Sequence, residues 1–220
     1  MGLMFILYLA LHYKLPRLKP QYDGSYVSLM KSIWQYFKAQ PALRLAAARG
    51  ALSFAGLSAM WTTLVFLLED SFGYGSSIAG VFGILGIVGA LGSTVVGKLN
   101  DRVNKDKMIL SAVLMLLLSW VVFLCSTHFI PGLVFGAIVV DLGQQTVHIT
   151  NQNLILKKNP EARNRVNTIY MVIFFIGGAI GTSLGALAYV HWGWHGVSVL
   201  GLVLSLLIAV VHYRFREQTV

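Results

Sequence analysis

The sequence predicts an all-α, polytopic membrane protein, a six-helix transmembrane bundle preceded by a truncated helix. Hydrophobic residues make up 56% of the 220 and charged residues only 11%, at a mean hydropathy of +0.71. A soluble domain carries roughly 25% charged residues. The stretches Gly50 to Leu68, Ser71 to Gly97, Met108 to Val140 and Val166 to Tyr213 contain no Asp, Glu, Lys or Arg. Every Lys and Arg falls in alternate gaps between those stretches. A closed barrel would show segments of about 10 residues alternating apolar and polar, whereas Phe82 to Gly97 and Leu110 to Cys125 are continuously apolar.

The elements follow in chain order. Met1–Tyr13 is apolar but reaches at most ~20 Å as a helix, too little to span. It lacks a basic leader and a small-residue cleavage site, so it is a poor signal peptide, and residues 1–13 read as the last turns of an earlier crossing. Residues 14–45 form a linker carrying Pro16, Pro20, Asp23 and Gly24. Within it, Val27, Met30, Ile33, Trp34 and Phe37 share one helical face opposite Ser28, Gln35 and Lys38. That pattern reads as an amphipathic helix on the cytoplasmic membrane surface or as a solvated linker helix, broken in either case by Pro41. A crossing needs about 20 apolar residues. Within residues 46–215 they are placed at Ala46–Leu68, Ser77–Gly97, Met108–Ser126, Pro131–Leu156, Thr168–Val190 and Val197–Tyr213. Residues 216–220 are a tail.

Glycine concentrates at Gly80, Gly83, Gly86, Gly89 and Gly92 and, at four-residue spacing, at Gly177, Gly181 and Gly185. In lipid such small residues let helix backbones approach closely, so these are packing positions. Trp192 and Trp194, between the last two crossings, fit an aromatic belt at the outer interface.

The net charge of +9 is topological. Lys14 through Arg49 precede the uncharged run of the first crossing that begins at Gly50, Lys98, Arg102, Lys105 and Lys107 follow the second, Lys157, Lys158, Arg163 and Arg165 follow the fourth, and Arg214 and Arg216 close the chain. The intervening gaps hold Glu69, Asp70, His128, His191 and His195 but no Lys or Arg. By the positive-inside rule the basic loops, and with them the C-terminus, are cytoplasmic. A nucleic-acid surface would need contiguous exposed basic sequence. Cys125 is alone, which excludes an intrachain disulfide and a cysteine metal site.

Asp141 is the one acidic residue inside a predicted crossing. Ten residues of helix beyond Pro131 put it about 15 Å deep, where a carboxylate costs some 2.5–3.5 kcal/mol even on the lenient insertion scale. It should therefore face a cavity or a partner. Gln145, His148 and Gln152 follow within about 60° of it around the same helix, with Gln144 and Asn151 beside them, a polar stripe some 16 Å long. A desolvated carboxyl and an imidazole are groups that exchange protons near neutral pH. Asp141 and His148 are thus candidates for proton coupling, and Gln145, Gln152, Gln144 and Asn151 for substrate contacts. The bland alternative is a stripe that only hydrogen-bonds neighbouring helices. On the first crossing the polar residues divide between a face with Arg49, Ser53 and Thr63 and one with Ser58 and Thr62, and spacing does not choose between them.

The loop Gly97-Lys98-Leu99-Asn100-Asp101-Arg102-Val103-Asn104-Lys105 resembles the G-x-L-x-D-R-x-x-R/K loop of the major facilitator superfamily, with Asn104 where the fuller motif usually has Gly. Pro160-Glu161-Ala162-Arg163 with Arg165, Asn167 and Tyr170, and the run from Asp141 to Gln152, are similar to the tenth and eleventh helices of its bacterial drug and sugar efflux members. The order matches helices seven to twelve, the C-terminal half of a twelve-helix fold. The resemblance implies a cytoplasmic gate at Gly97, Asp101, Arg102, Lys105 and Arg163, in which the loop's carboxylate and basic residues break and reform contacts as access alternates. It implies proton-coupled efflux of a small molecule, drug or sugar-like, by a chain in the bacterial inner membrane. Its partners would be the substrate, protons, the bilayer and a missing N-terminal half or a second copy. A non-transporting membrane subunit or a truncated gene remnant is the competing reading. An enzyme is not expected, since H-E-x-x-H and a second intramembrane carboxylate to pair with Asp141 are missing. The sequence points to no cofactor and no metal.

Overall fold

In the computed structural model the described residues are 26–74 and 85–215, with Met4, Tyr8 and Leu11 of the opening stretch. The chain divides into two compact units, Met1–Ser32 and Ile33–Val220. Among the described residues every regular element is a helix: α1 (Tyr26–Ala39), α2 (Pro41–Phe72), α3 (Leu85–Arg102), α4 (Lys105–Cys125), α5 (Ile130–Lys158) and α6 (Arg163–Phe215). Of these, α2, α4, α5 and α6 are long and apolar enough to cross a membrane. Residues 77–84 of the second expected crossing, Gly80 and Gly83 among them, lie outside the described residues.

Local chemistry sets the ends of these helices. Pro41 opens α2 in its first turn after an extended Gln40, a position where the missing N–H costs nothing. Gly73 closes α2 in the left-handed conformation, its N–H and that of Tyr74 donating to Glu69 and Leu68 carbonyls at 3.0 Å, which satisfies carbonyls that have no partner further along the helix. Asn104 caps α4, its side chain accepting from the Asp106 N–H at 2.8 Å.

α6 runs for 53 residues, about 80 Å of helix and more than twice a bilayer core. It is broken at Gly193, whose φ of 60° and ψ of −154° are non-helical. The two limbs, 163–192 and 194–215, run in opposite directions. On the first limb Tyr170 meets Gly50 of α2 and Gly185 meets Ala59, and Tyr189 bonds Asp70. On the second, His212 returns to Arg49. The expected loop between the last two crossings is therefore a single non-helical residue inside a helical hairpin.

Burying apolar surface does not drive helices together in lipid, so close contact must. Gly177, Gly181 and Gly185 lie against Ala51, Ala55 and Ala59 of α2 so closely that an added Cβ would collide with the α2 backbone. Trp120 of α4 is buried between Gly56 and Gly201. Phe123 and Trp194 pack edge to face beside it, at 5.4 Å between centroids. The Trp194 indole donates to the Phe123 carbonyl at 3.1 Å. Trp194 is 2% exposed and Trp192 71%, so of the two tryptophans expected in an interfacial belt, Trp194 belongs to the core. In α1, Ile33 and Phe37 pack on the Leu43, Ala46, Ile155 and Val166 cluster, while Trp34 is exposed under the Lys38 ammonium. Part of the amphipathic face thus covers the bundle itself.

Candidate functional site

α2, α5 and the first limb of α6 meet around the polar stripe. The Trp61 indole of α2 donates to one oxygen of Asp141 at 3.5 Å, while the other oxygen, Oδ2, is buried without a hydrogen-bond partner. Asp141 itself is only 7% exposed. Two helical turns further, His148 Nδ1 lies 3.0 Å from the Tyr170 hydroxyl, and its ring is 4.7 Å from that of Phe174. Phe174 in turn stacks on Phe54 of α2 at 4.1 Å. Gln152 donates to Asn167 Oδ1 at 3.0 Å and lies 3.8 Å from the Met171 sulfur. Gln145, His148 and Gln152 are half-buried.

The six stripe residues do not act as one surface. Asn151 is fully buried and donates to the Ala46 carbonyl at 3.1 Å, and Gln144 is 3% exposed. Both are buried, whereas Gln145, His148 and Gln152 are half-buried. Asp141 and His148 do not touch; seven residues of helix separate them by about 10 Å.

On α2 the two polar faces differ in burial. Ser53 and Thr63 turn their hydroxyls onto the Gly50 and Ala59 carbonyls of their own helix, and Arg49, Ser53 and Thr63 are all buried. Ser58, Trp61 and Thr62 remain half-buried, with Thr62 3.2 Å from Thr182 of the first α6 limb. Trp61 and Tyr170 are thus members of this site that spacing did not single out. An indole beside an aliphatic run reads as lipid-facing until its partner helix is known.

The loop between α3 and α4 turns through Val103 and Asn104. Asn104 has φ of −59° and ψ of 136°, ordinary extended backbone, so no glycine is needed there. Lys105 donates to the Asn100 carbonyl and to its side-chain oxygen. Gly97 has nothing within 4 Å of where a Cβ would stand, and Arg102 and Arg163 are exposed. The Asp101 side chain lies outside the described set.

Comparison with known proteins yields a match to the Major Facilitator Superfamily over residues 1–161 and 107–220. The chain belongs to the major facilitator superfamily. The uncharacterized transporter YgaY of Escherichia coli, in each of two strains, is 38% identical over 218 residues, 98% of this chain and 55% of its own length. A Streptomyces coelicolor protein named "Probable transporter SCO4007" is 33% identical over 194 residues, 87% of this chain and 45% of its own. The chain spans about half the length of the curated relatives it matches. Membership in this superfamily makes it a multi-pass membrane protein of a transporter family.

Proposed function

We propose that this chain supplies one half, helices seven to twelve, of a proton-coupled transporter that exports a small molecule, drug or sugar-like, by alternating access. The observation that carries the reading is the Asp141 carboxylate, buried in α5 with one oxygen held by Trp61 and the other unpartnered. A carboxylate at membrane depth costs several kcal/mol and is retained where it does work. On this reading Asp141 takes up and releases the coupled proton and His148 assists it. Gln145 and Gln152 contact substrate from the half-buried side, and Ser58, Trp61 and Thr62 complete that side from α2. Gly97, Asp101, Arg102, Lys105 and Arg163 form the cytoplasmic gate, and the preceding half or a second copy closes the cavity.

The test is flux in vesicles carrying the transporter, with and without an imposed pH gradient. Asp141→Asn should abolish gradient-driven accumulation while leaving substrate exchange at equal pH. Gradient-driven transport that survives the substitution removes Asp141 from coupling.

A further inference from the structure

We propose that a second polar site, at the end of the bundle where α2 begins and α4 starts, binds a small oxyanion: a phosphate group, either free or on a lipid headgroup. Its centre is Arg49, on the first turns of α2, which is 2% exposed. One guanidinium nitrogen lies 2.9 Å from His212 Nδ1 on the last limb of α6. Arginine only donates, so Nδ1 accepts and the imidazole proton sits on Nε2, directed to the Asp106 carboxylate 4.0 Å away. Asp106 is therefore Arg49's counter-charge at one remove, across a neutral ring, and its side chain is 44% exposed.

A buried cation needs a direct partner, and Arg49 Nε is buried with none. Beside it lies a cavity of about 310 Å³ lined by Arg49, Asn104, Lys105, Asp106 and Thr150 among others. Thr150, 1% exposed, also has its hydroxyl buried without a partner. Two residues with an unpartnered group, one a charged donor and one a hydroxyl, thus line a cavity that also abuts the N-terminal turn of α4. A helix N-terminus favours an anion through its N–H groups and dipole. Among the described residues lining the cavity, Arg49 and Lys105 outweigh the single carboxylate of Asp106. Chemistry of this kind selects a tetrahedral oxyanion, with Arg49 and Thr150 as ligands and Asp106 as the group that limits affinity.

The test is the thermal unfolding midpoint of the detergent-purified protein in phosphate against chloride at equal ionic strength, then in nanodiscs of phosphatidylglycerol against phosphatidylcholine. Phosphate also stabilises folded proteins generally by exclusion from their surface, so the part of its effect that Thr150→Val removes identifies a free anion as ligand, and such a part seen with phosphatidylglycerol alone identifies a headgroup. Stabilisation by neither overturns the site. Thr150→Val removes a hydroxyl that bonds nothing in the chain, so it should leave the fold intact and weaken the response at least threefold. Asp106→Asn should tighten apparent binding several-fold. A response that neither Thr150→Val nor Asp106→Asn alters would place the anion elsewhere on the protein, and this site is then refuted.

Discussion

Trp61 governs how Asp141 is presented, because its indole is the partner of one carboxylate oxygen and leaves the other to whatever enters from the half-buried side. At 3.5 Å the bond lies at the long limit, so its net worth is at the low end of about 0.5–1.5 kcal/mol. Trp61→Phe keeps the bulk and loses the donor, and on the proposed function efflux should fall about two- to fivefold with coupling retained, as measured by proton-to-substrate stoichiometry in vesicles. His148 differs from Asp141 in being engaged already, with Tyr170 at 3.0 Å and the Phe174 ring against it. His148→Gln should therefore slow transport without abolishing its dependence on a pH gradient, and loss of that dependence would move the coupling role from Asp141 to His148. The Asp141 stripe was legible in the sequence because a carboxylate inside an apolar run has no inexpensive explanation. Its partner was not. Which residue of α2 faces α5 depends on helix packing, and the two polar faces of α2 differ in burial rather than in spacing.

Two glycines with the same φ and different ψ show what each break in helical structure costs. Gly73, at φ 65° and ψ 21°, occupies the left-handed well that Asn also visits. Gly193, at φ 60° and ψ −154°, occupies a region open essentially to glycine alone. Nothing stands within 4 Å of a Cβ at either position, so substitution there reads backbone energy without a steric clash. Gly73→Asn should cost well under 1 kcal/mol, and Gly193→Asn about 1–3 kcal/mol, seen as a lower unfolding midpoint in detergent. Equal midpoints would mean that Gly193 is not holding the hairpin. The contact between α2 and the first limb of α6 is a steric matter instead. A Cβ at Gly181 meets the Ala55 backbone, which cannot swing aside as a side chain would. Gly181→Leu should separate the two helices and abolish recovery of folded protein. Gly185→Ala, whose nearest clash is the Ala59 Cβ at 2.7 Å, should cost about 1–3 kcal/mol. The glycine spacing announced this interface, and the facing Ala51, Ala55 and Ala59 repeat at the same four-residue spacing, but spacing alone does not say which helix packs on which.

At the scale of the molecule, charge says more than hydropathy. Hydropathy placed the apolar runs, but it counted a loop where α6 turns on one residue, and it did not show that α2 extends to Pro41 and Phe72. The charge pattern, read through the helix directions, collects Arg44 and Arg49 of α2, Lys98 and Arg102 of α3, and Lys105 and Lys107 of α4 at one end. Lys157 and Lys158 of α5, and Arg163, Arg165 and Arg214 of α6, lie at that same end. Glu69, Asp70, His128 and Gly193 lie at the other. Such segregation is what insertion with the basic end in the cytoplasm would produce. α4 offers a direct test because its 21 residues span about 31 Å, one hydrocarbon core, with exposed Lys107 at its start and exposed His128 just past its end. In a Cys125→Ser background, His128→Cys should react with a membrane-impermeant maleimide in intact cells. Lys107→Cys should react only after the membrane is opened. The reverse pattern would invert the topology, and labelling of both sites in intact cells would show that α4 does not cross.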